Sequence, residues 1–228
     1  FFRRTLLSAG LLAAGAALLA EGRRGHPGPV VVIHATNGTY APGRQWPPER
    51  FAAVADHLVE TRGATIVLVG VASEAEGIGR VAAAMRAPAL NLAGRTDLAT
   101  LAGVLLDADL MLGNDSSVGH LAAALGVPAL ILFGPSNERA WLPWGGARLV
   151  LPPPGRPLPP LPGATALAVR SAEPHAPCLY TGFGPGNPHG CPDCRCLAAI
   201  DADQIAALAV RLLDEAGDRA AIPTDPGE

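Results

Sequence analysis

The chain has 228 residues, a length for one large domain or two small ones, and 49% of them are hydrophobic, which is enough to bury a substantial core. Its formal charge is −3 and all 17 basic residues are Arg, so it lacks the broad cationic surface of a nonspecific nucleic-acid binder, although a single Arg can still hold a phosphate. Four Cys, all beyond residue 177, are too few and too clustered to staple a fold of this size, which points to a reducing compartment, the cytoplasm.

The chain opens with FFRRTLLSAGLLAAGAALLAEGRRG, two Arg followed by an apolar stretch from Thr5 to Ala20. That layout resembles a signal segment, but the stretch is Ala- and Gly-rich and short for a bilayer span of about 20 residues. Residues 1–28 are therefore expected to be an apolar helix and linker, with a truncation remnant or a signal-like segment as the other readings. From residue 29 apolar runs alternate with helical patterns. PVVVIHA (29–35) predicts a buried strand, and PERFAAVADHLVETRG (48–63) predicts a helix with Phe51, Val54, Ala55 and Leu58 on one face and a Gly stop. ATIVLVG (64–70) predicts the next strand, then come a helix over about 74–86, a short strand over 88–92 and a helix over 98–108. ADLMLG (108–113) and PALILFG (128–134) predict strands on either side of a small-residue helix ending at Gly126. Strands that are apolar throughout, each separated by a helix, predict an α/β fold: a Rossmann-like parallel sheet with helices on both faces.

After Gly134 come a loop with two Trp, a short strand ARLVLP, a proline-rich loop and a Cys-bearing segment. DADQIAALAVRLLDEAG (201–217) closes as an amphipathic helix with Asp201 as N-cap, and residues 218–228 are expected to be a disordered tail.

In a parallel sheet the loops after successive strands share one edge, so three polar loops converge. The first carries Thr36, Asn37 and Arg44, the second Ser73, Glu74 and Glu76, and the third Asp115, Ser116, Ser117 and His120 at a strand-to-helix junction. A cation and a helix N-terminus suit phosphates, and a carboxylate suits ribose hydroxyls. Each residue also has a plainer reading: Arg44 as a solvated side chain, one of Glu74 and Glu76 as a first-turn charge, Asp115 as a helix cap and His120 as a hydrogen-bonded helix residue. No G-x-G-x-x-G follows the first strand and no G-x-x-x-x-G-K-[ST] occurs, which removes the dehydrogenase and P-loop readings. Cys191, Cys194 and Cys196 form C-x-x-C-x-C, with Cys178 upstream and His175 and His189 nearby. Thiolates at such spacing can hold Zn²⁺, but structural zinc sites usually pair two C-x-x-C knuckles, so no metal is assigned.

Taken in order, HATN…GRQWPPERFAAVADHL, IVLVGVASEAE and LNLAGRTDLATLAGVLLDADLMLGNDSSVGHLAAALGVPALILFGPSN resemble the C-terminal half of glycosyltransferase family 9, the heptosyltransferases of lipopolysaccharide core assembly. The likeness runs from about residue 29 to 140 and resumes weakly over C…CPDCRCLAAIDADQIAALAVRLL; its most specific run is ND-x-x-x-x-H-LAAALG-VP-x-x-x-LFGP. It implies a GT-B enzyme with two Rossmann-like domains, of which residues 29–217 are the nucleotide-sugar-binding one. By the same resemblance Arg44 contacts the donor phosphates where the family commonly has Lys, and Glu74 holds the ribose, ahead of Glu76. Asp115, Ser116 and Ser117 match the family's Asp-Thr-Gly facing the diphosphate, and His120 matches its His. Ser117 in place of Gly adds a Cβ at the closest backbone approach to phosphate.

The implied donor is ADP-heptose and the implied acceptor a lipid-linked core oligosaccharide at the cytoplasmic face of the inner membrane, with peripheral membrane association, anomeric inversion, and neither metal nor cofactor. The family's general base belongs to an N-terminal acceptor domain, for which the roughly 28 residues before the first strand leave no room. No catalytic residue is therefore assigned in this chain, which is expected to bind a nucleotide sugar and to transfer sugar poorly alone. The rival readings are a noncatalytic nucleotide-binding module and a sugar-nucleotide epimerase of the same two-domain layout.

Overall fold

The computed structural model describes residues 9–23, 27–37, 42–143, 147–150, 166–174, 176–177 and 195–221. In chain order the elements are α1 (Ala9–Arg23), β1 (Val30–His34), a 3₁₀ turn (Pro42–Arg44), α2 (Pro48–Arg62), β2 (Thr65–Leu68), a 3₁₀ turn (Ala72–Glu74), α3 (Ala75–Ala84), β3 (Leu90–Asn91), α4 (Leu98–Leu106), β4 (Leu110–Asn114), α5 (Ser117–Ala124), β5 (Ala129–Phe133), α6 (Glu138–Trp141), β6 (Ala147–Val150), β7 (Ala166–Arg170), α7 (Arg195–Ala198) and α8 (Ala202–Ala221). The strands form one sheet in the order β3-β2-β1-β4-β5-β7-β6, and every pairing is parallel.

Both faces of the sheet are covered, which explains why the strands are apolar throughout rather than alternating. Ile33, Leu68, Leu112, Leu132 and Val169 point to one face and pack with Phe51, Leu58, Ile78, Val81, Leu208 and Leu212 of α2, α3 and α8. Val32, Val67, Met111, Ile131 and Ala168 point to the other, against Leu19, Val104, Leu105, Val118 and Ala122 of α1, α4 and α5. α2 buries the expected Phe51, Val54, Ala55 and Leu58, starts with Pro48 where a missing N–H costs nothing, and stops at Gly63. Gly63 sits at φ 63°, and its N–H closes on the carbonyls of Leu58 and Val59, the left-handed C-terminal stop for which glycine is suited.

α1 lies across α4, with their backbones nearly touching: a Cβ built on Gly15 would come 2.5 Å from the carbonyl carbon of Gly103. Asp201 caps α8 as expected, its Oδ1 accepting from the N–H groups of Asp203 (2.8 Å) and Gln204 (3.1 Å). The helix then runs on to Ala221, past the expected end at 217, because Asp218 to Ala221 contain no breaker and the first proline is Pro223. Residues 222–228, part of the expected tail, lie outside the described residues. Among the described residues no helix is long and apolar enough to cross a membrane.

Candidate functional site

The chain builds outward from β1 to β2 and β3, then returns to the other side of β1 to lay down β4. The C-terminal ends of β1 and β4 therefore form the topological switch point, where the diverging connections leave a crevice. Polar residues at this edge are almost fully enclosed: His34 is 5% exposed, Asn114 0%, Asp115 4% and Glu74 8%. Buried polar groups persist only when they are partnered, so their hydrogen bonds define the construction of the site.

Asp115, directly after β4, does not cap the following helix. Its Oδ2 takes the Arg44 Nη2 at 2.7 Å and the Ser136 hydroxyl at 2.6 Å, and its backbone carbonyl takes the same Arg44 nitrogen at 2.6 Å. Arg44 is delivered by the turn after β1, whose path is fixed by Asn37, donating to the Arg44 carbonyl at 2.8 Å. Asn114 braces the same loop from beneath: its amide donates to the Ala35 carbonyl (2.8 Å) and its Oδ1 accepts from the Trp46 N–H (3.0 Å). Trp46 in turn is buried edge-on against Phe51, ring centroids 5.0 Å apart, so the loop is anchored to α2.

Glu74 ends the short turn after β2. Its Oε2 accepts from the Val71 N–H at 2.9 Å and lies 3.3 Å from His34 Nε2, while His34 Nδ1 lies 3.0 Å from the Ser116 hydroxyl. Burial alone would push the Glu74 carboxyl up, but the bonds from His34 and the Val71 N–H outweigh it and hold the group down at about 2, so it is an acceptor-only carboxylate at neutral pH. Glu76 points away, 90% exposed beside Arg80, and takes the surface role that the sequence left open to either glutamate.

A cavity of about 490 Å³ opens between these groups, lined by His34, Asn37, Arg44, Glu74, Asp115, Ser116 and Ser117 together with Val71, Thr96, Asp97, Leu98, Leu101 and Val118. The N-terminus of α5 enters it. Ser116 occupies the cap position but makes no side-chain cap bond, and Ser117 is the first helical residue. Val71 and Leu98 are 58% and 73% exposed, forming an unusually apolar rim for a polar pocket.

Six of the eight residues expected at the site thus line one cavity: Asn37, Arg44, Glu74, Asp115, Ser116 and Ser117. Thr36 is buried behind it, its hydroxyl without a hydrogen-bond partner among the described residues, and His120 sits partly exposed further along α5. Three features were not foreseen. His34 is the one polar residue in an otherwise aliphatic strand, Asn114 precedes Asp115 in the same motif, and the loop after β3 brings Thr96 and Asp97, the latter capping α4 through the Thr100 N–H at 2.7 Å. Of the cysteines, Cys196 is buried in α7; Cys178, Cys191 and Cys194, with His175 and His189, lie outside the described residues.

Residues 15–151 match the family model described as glycosyltransferase family 9 (heptosyltransferase). The lipopolysaccharide heptosyltransferase 1 of Pseudomonas aeruginosa is 37% identical over 108 residues, which is 47% of this chain and 29% of that protein. The lipopolysaccharide heptosyltransferase 2 of Escherichia coli is 33% identical over 102 residues, 43% and 29% of the two chains. Among solved structures, the family 9 glycosyl transferase from Veillonella parvula superposes with a TM-score of 0.68 at 22% identity, covering 92% of this chain and 53% of that one. The E. coli ADP-heptose lipopolysaccharide heptosyltransferase II superposes with a TM-score of 0.65 at 22% identity, with the same coverage. The chain therefore spans about half the length of these solved relatives, and their likeness is one of fold.

Proposed function

Because this chain belongs to glycosyltransferase family 9, we propose that its sheet-edge cavity seats the nucleoside diphosphate of a sugar donor, within a heptosyltransferase-like enzyme that transfers heptose from ADP-heptose to a lipopolysaccharide core acceptor. One observation carries the reading. A permanent cation, an uncapped helix N-terminus and an ionised carboxylate face one cavity at the switch point of a parallel sheet.

Arg44 and the first-turn N–H groups of α5 receive the diphosphate, and in the transition state they stabilise the negative charge on the departing nucleoside diphosphate. Arg44 is held in place by Asp115 through Nη2, and its side chain lines the cavity with 21% of its surface exposed. Glu74 accepts from the ribose hydroxyls, and the aliphatic rim of Val71, Leu98, Leu101 and Val118 covers the base. The base that deprotonates the acceptor hydroxyl comes from the acceptor-binding half of the enzyme, which places the reacting centre between two domains. The acceptor is a lipid-linked oligosaccharide, met at the cytoplasmic face of the inner membrane by a peripherally associated enzyme. No metal and no cofactor is assigned to the reaction.

Calorimetric titration with ADP, UDP and GDP tests the seat directly, ADP being expected to bind most tightly; no binding by any of the three would remove the reading. Transfer itself is tested by a separate assay with ADP-heptose and a lipid-linked core acceptor in the presence of an acceptor-binding domain, where turnover is expected and its absence with the donor bound would overturn the transferase reading.

A further inference from the structure

We propose that His34 is a positioning residue of this site, holding the Glu74 carboxylate with one ring nitrogen and the α5 cap residue Ser116 with the other. The inference rests on the nucleotide reading above and assigns a residue to its geometry. β1 lies between β2 and β4 in the sheet, and His34 is its last residue. A side chain there can reach the loops on both sides, and the imidazole does so, at 3.3 Å to Glu74 Oε2 and 3.0 Å to Ser116 Oγ.

The protons on the ring follow from its partners. An ionised carboxylate can only accept, so Nε2 carries a hydrogen and donates it to Glu74. In the neutral ring Nδ1 is then an acceptor and takes the Ser116 hydroxyl hydrogen. This second bond explains why Ser116, at the position where a serine normally caps the helix through its side chain, makes no cap bond. His34 draws the hydroxyl toward β1 and leaves the first N–H groups of α5 turned to the cavity. The same ring covers the second buried carboxylate of the site, as Arg44 covers Asp115. A seat for an anion thus has neither acidic group exposed to the ligand without a donor against it.

Two isosteric replacements separate the contacts, since Asn places an amide where Nδ1 lies and Gln places one where Nε2 lies. Binding of ADP and of 2′,3′-dideoxy-ADP is measured by calorimetry on the wild type and on H34N, H34Q, E74A and the H34N/E74A double variant. The wild type is expected to favour ADP by about tenfold or more, the size of a charge-assisted hydrogen bond, and E74A to abolish the preference. H34N is expected to cut the preference at least threefold, H34Q to keep it within twofold, and H34N/E74A to fall no lower than E74A. For inorganic pyrophosphate the order reverses, with H34Q binding more weakly than H34N. A preference lost in E74A but intact in H34N overturns the role of His34 alone. No preference in the wild type, or one that survives E74A, removes the ribose reading and the role of His34 with it.

Discussion

The site holds two buried carboxylates on either side of β1, and they are neutralised in different ways. Asp115, on the β4 side, is paired with a permanent cation at 2.7 Å and a hydroxyl at 2.6 Å, an arrangement that fixes a charged side chain in place. Glu74, on the β2 side, is held by an imidazole at 3.3 Å and a backbone N–H at 2.9 Å. The first arrangement orients Arg44 and suits the diphosphate end of a ligand. The second keeps an ionised acceptor at the cavity wall and suits hydroxyl groups. One sheet edge therefore offers two chemically distinct ends to a single ligand.

Removing Asp115 should have the largest effect. D115A removes the carboxylate from Arg44 and Ser136, leaving Arg44 only the backbone carbonyl of residue 115, and should cost about 2–4 kcal/mol in urea unfolding, somewhat less than a fully enclosed pair because Arg44 is 21% exposed. If E74A proves the more damaging of the two, the contrast between them is the wrong way round. The Glu74 side is read by pH. Its folded carboxyl is held at about 2 against an ordinary 4.5, so its contribution is fully present above about pH 4.5 and is lost as pH falls toward 2. E74Q should remove on the order of 2–3 kcal/mol of stability at neutral pH and flatten the acid limb between those values, as measured by urea midpoints across pH. A wild-type and E74Q pair with parallel acid limbs would show that His34 does not hold the carboxylate ionised.

R44K sharpens the comparison further. Arg44 meets the carboxylate and the carbonyl of Asp115 through Nη2 alone, whereas Lys keeps the charge on a single nitrogen that would have to serve Asp115 and the phosphates together, so nucleoside diphosphate affinity should fall about three- to tenfold with little change in the ADP to dideoxy-ADP ratio. The smallest effect is expected at Ser117, which is the first residue of α5 with helical backbone and fits the fold without strain. S117G relieves crowding only against a bound phosphate and should tighten ADP binding about two- to threefold, while unfolding changes by no more than a few tenths of a kcal/mol. Unchanged affinity would mean that the Cβ is accommodated.

The alternation of strands and helices was legible because burial on both faces makes each strand a continuous apolar run, as in Val30–Ile33 and Leu130–Phe133. β3 is shorter than its text, Leu90–Asn91 rather than 88–92, because it is an edge strand held by two register pairs to β2. The three polar loops were legible for a topological reason, since side chains after parallel strands must share an edge. What sequence alone left undecided was which polar group faces inward. Glu74 and Glu76 stand two residues apart in one motif, and what separates them is burial of Glu74 against a backbone N–H and a histidine 40 residues away. His34 was hidden by its setting, a lone polar residue closing a β-branched run, whose two partners lie 40 and 82 positions along the chain. The Thr96 and Asp97 loop was missed because it follows the shortest strand, where no long apolar run announces a sheet edge.

The contact of Gly15 with Gly103 has a mechanical side. Where Gly15 meets Gly103 no side chain intervenes, so at that point the two helices rest backbone on backbone and a larger residue at either position would force them apart. α4 begins at Leu98, on the rim of the cavity, and Asp97 ties its first turn. The segment that enters the fold before the first strand thus sets how closely α4, whose first turn lines the mouth of the pocket, is seated on the sheet.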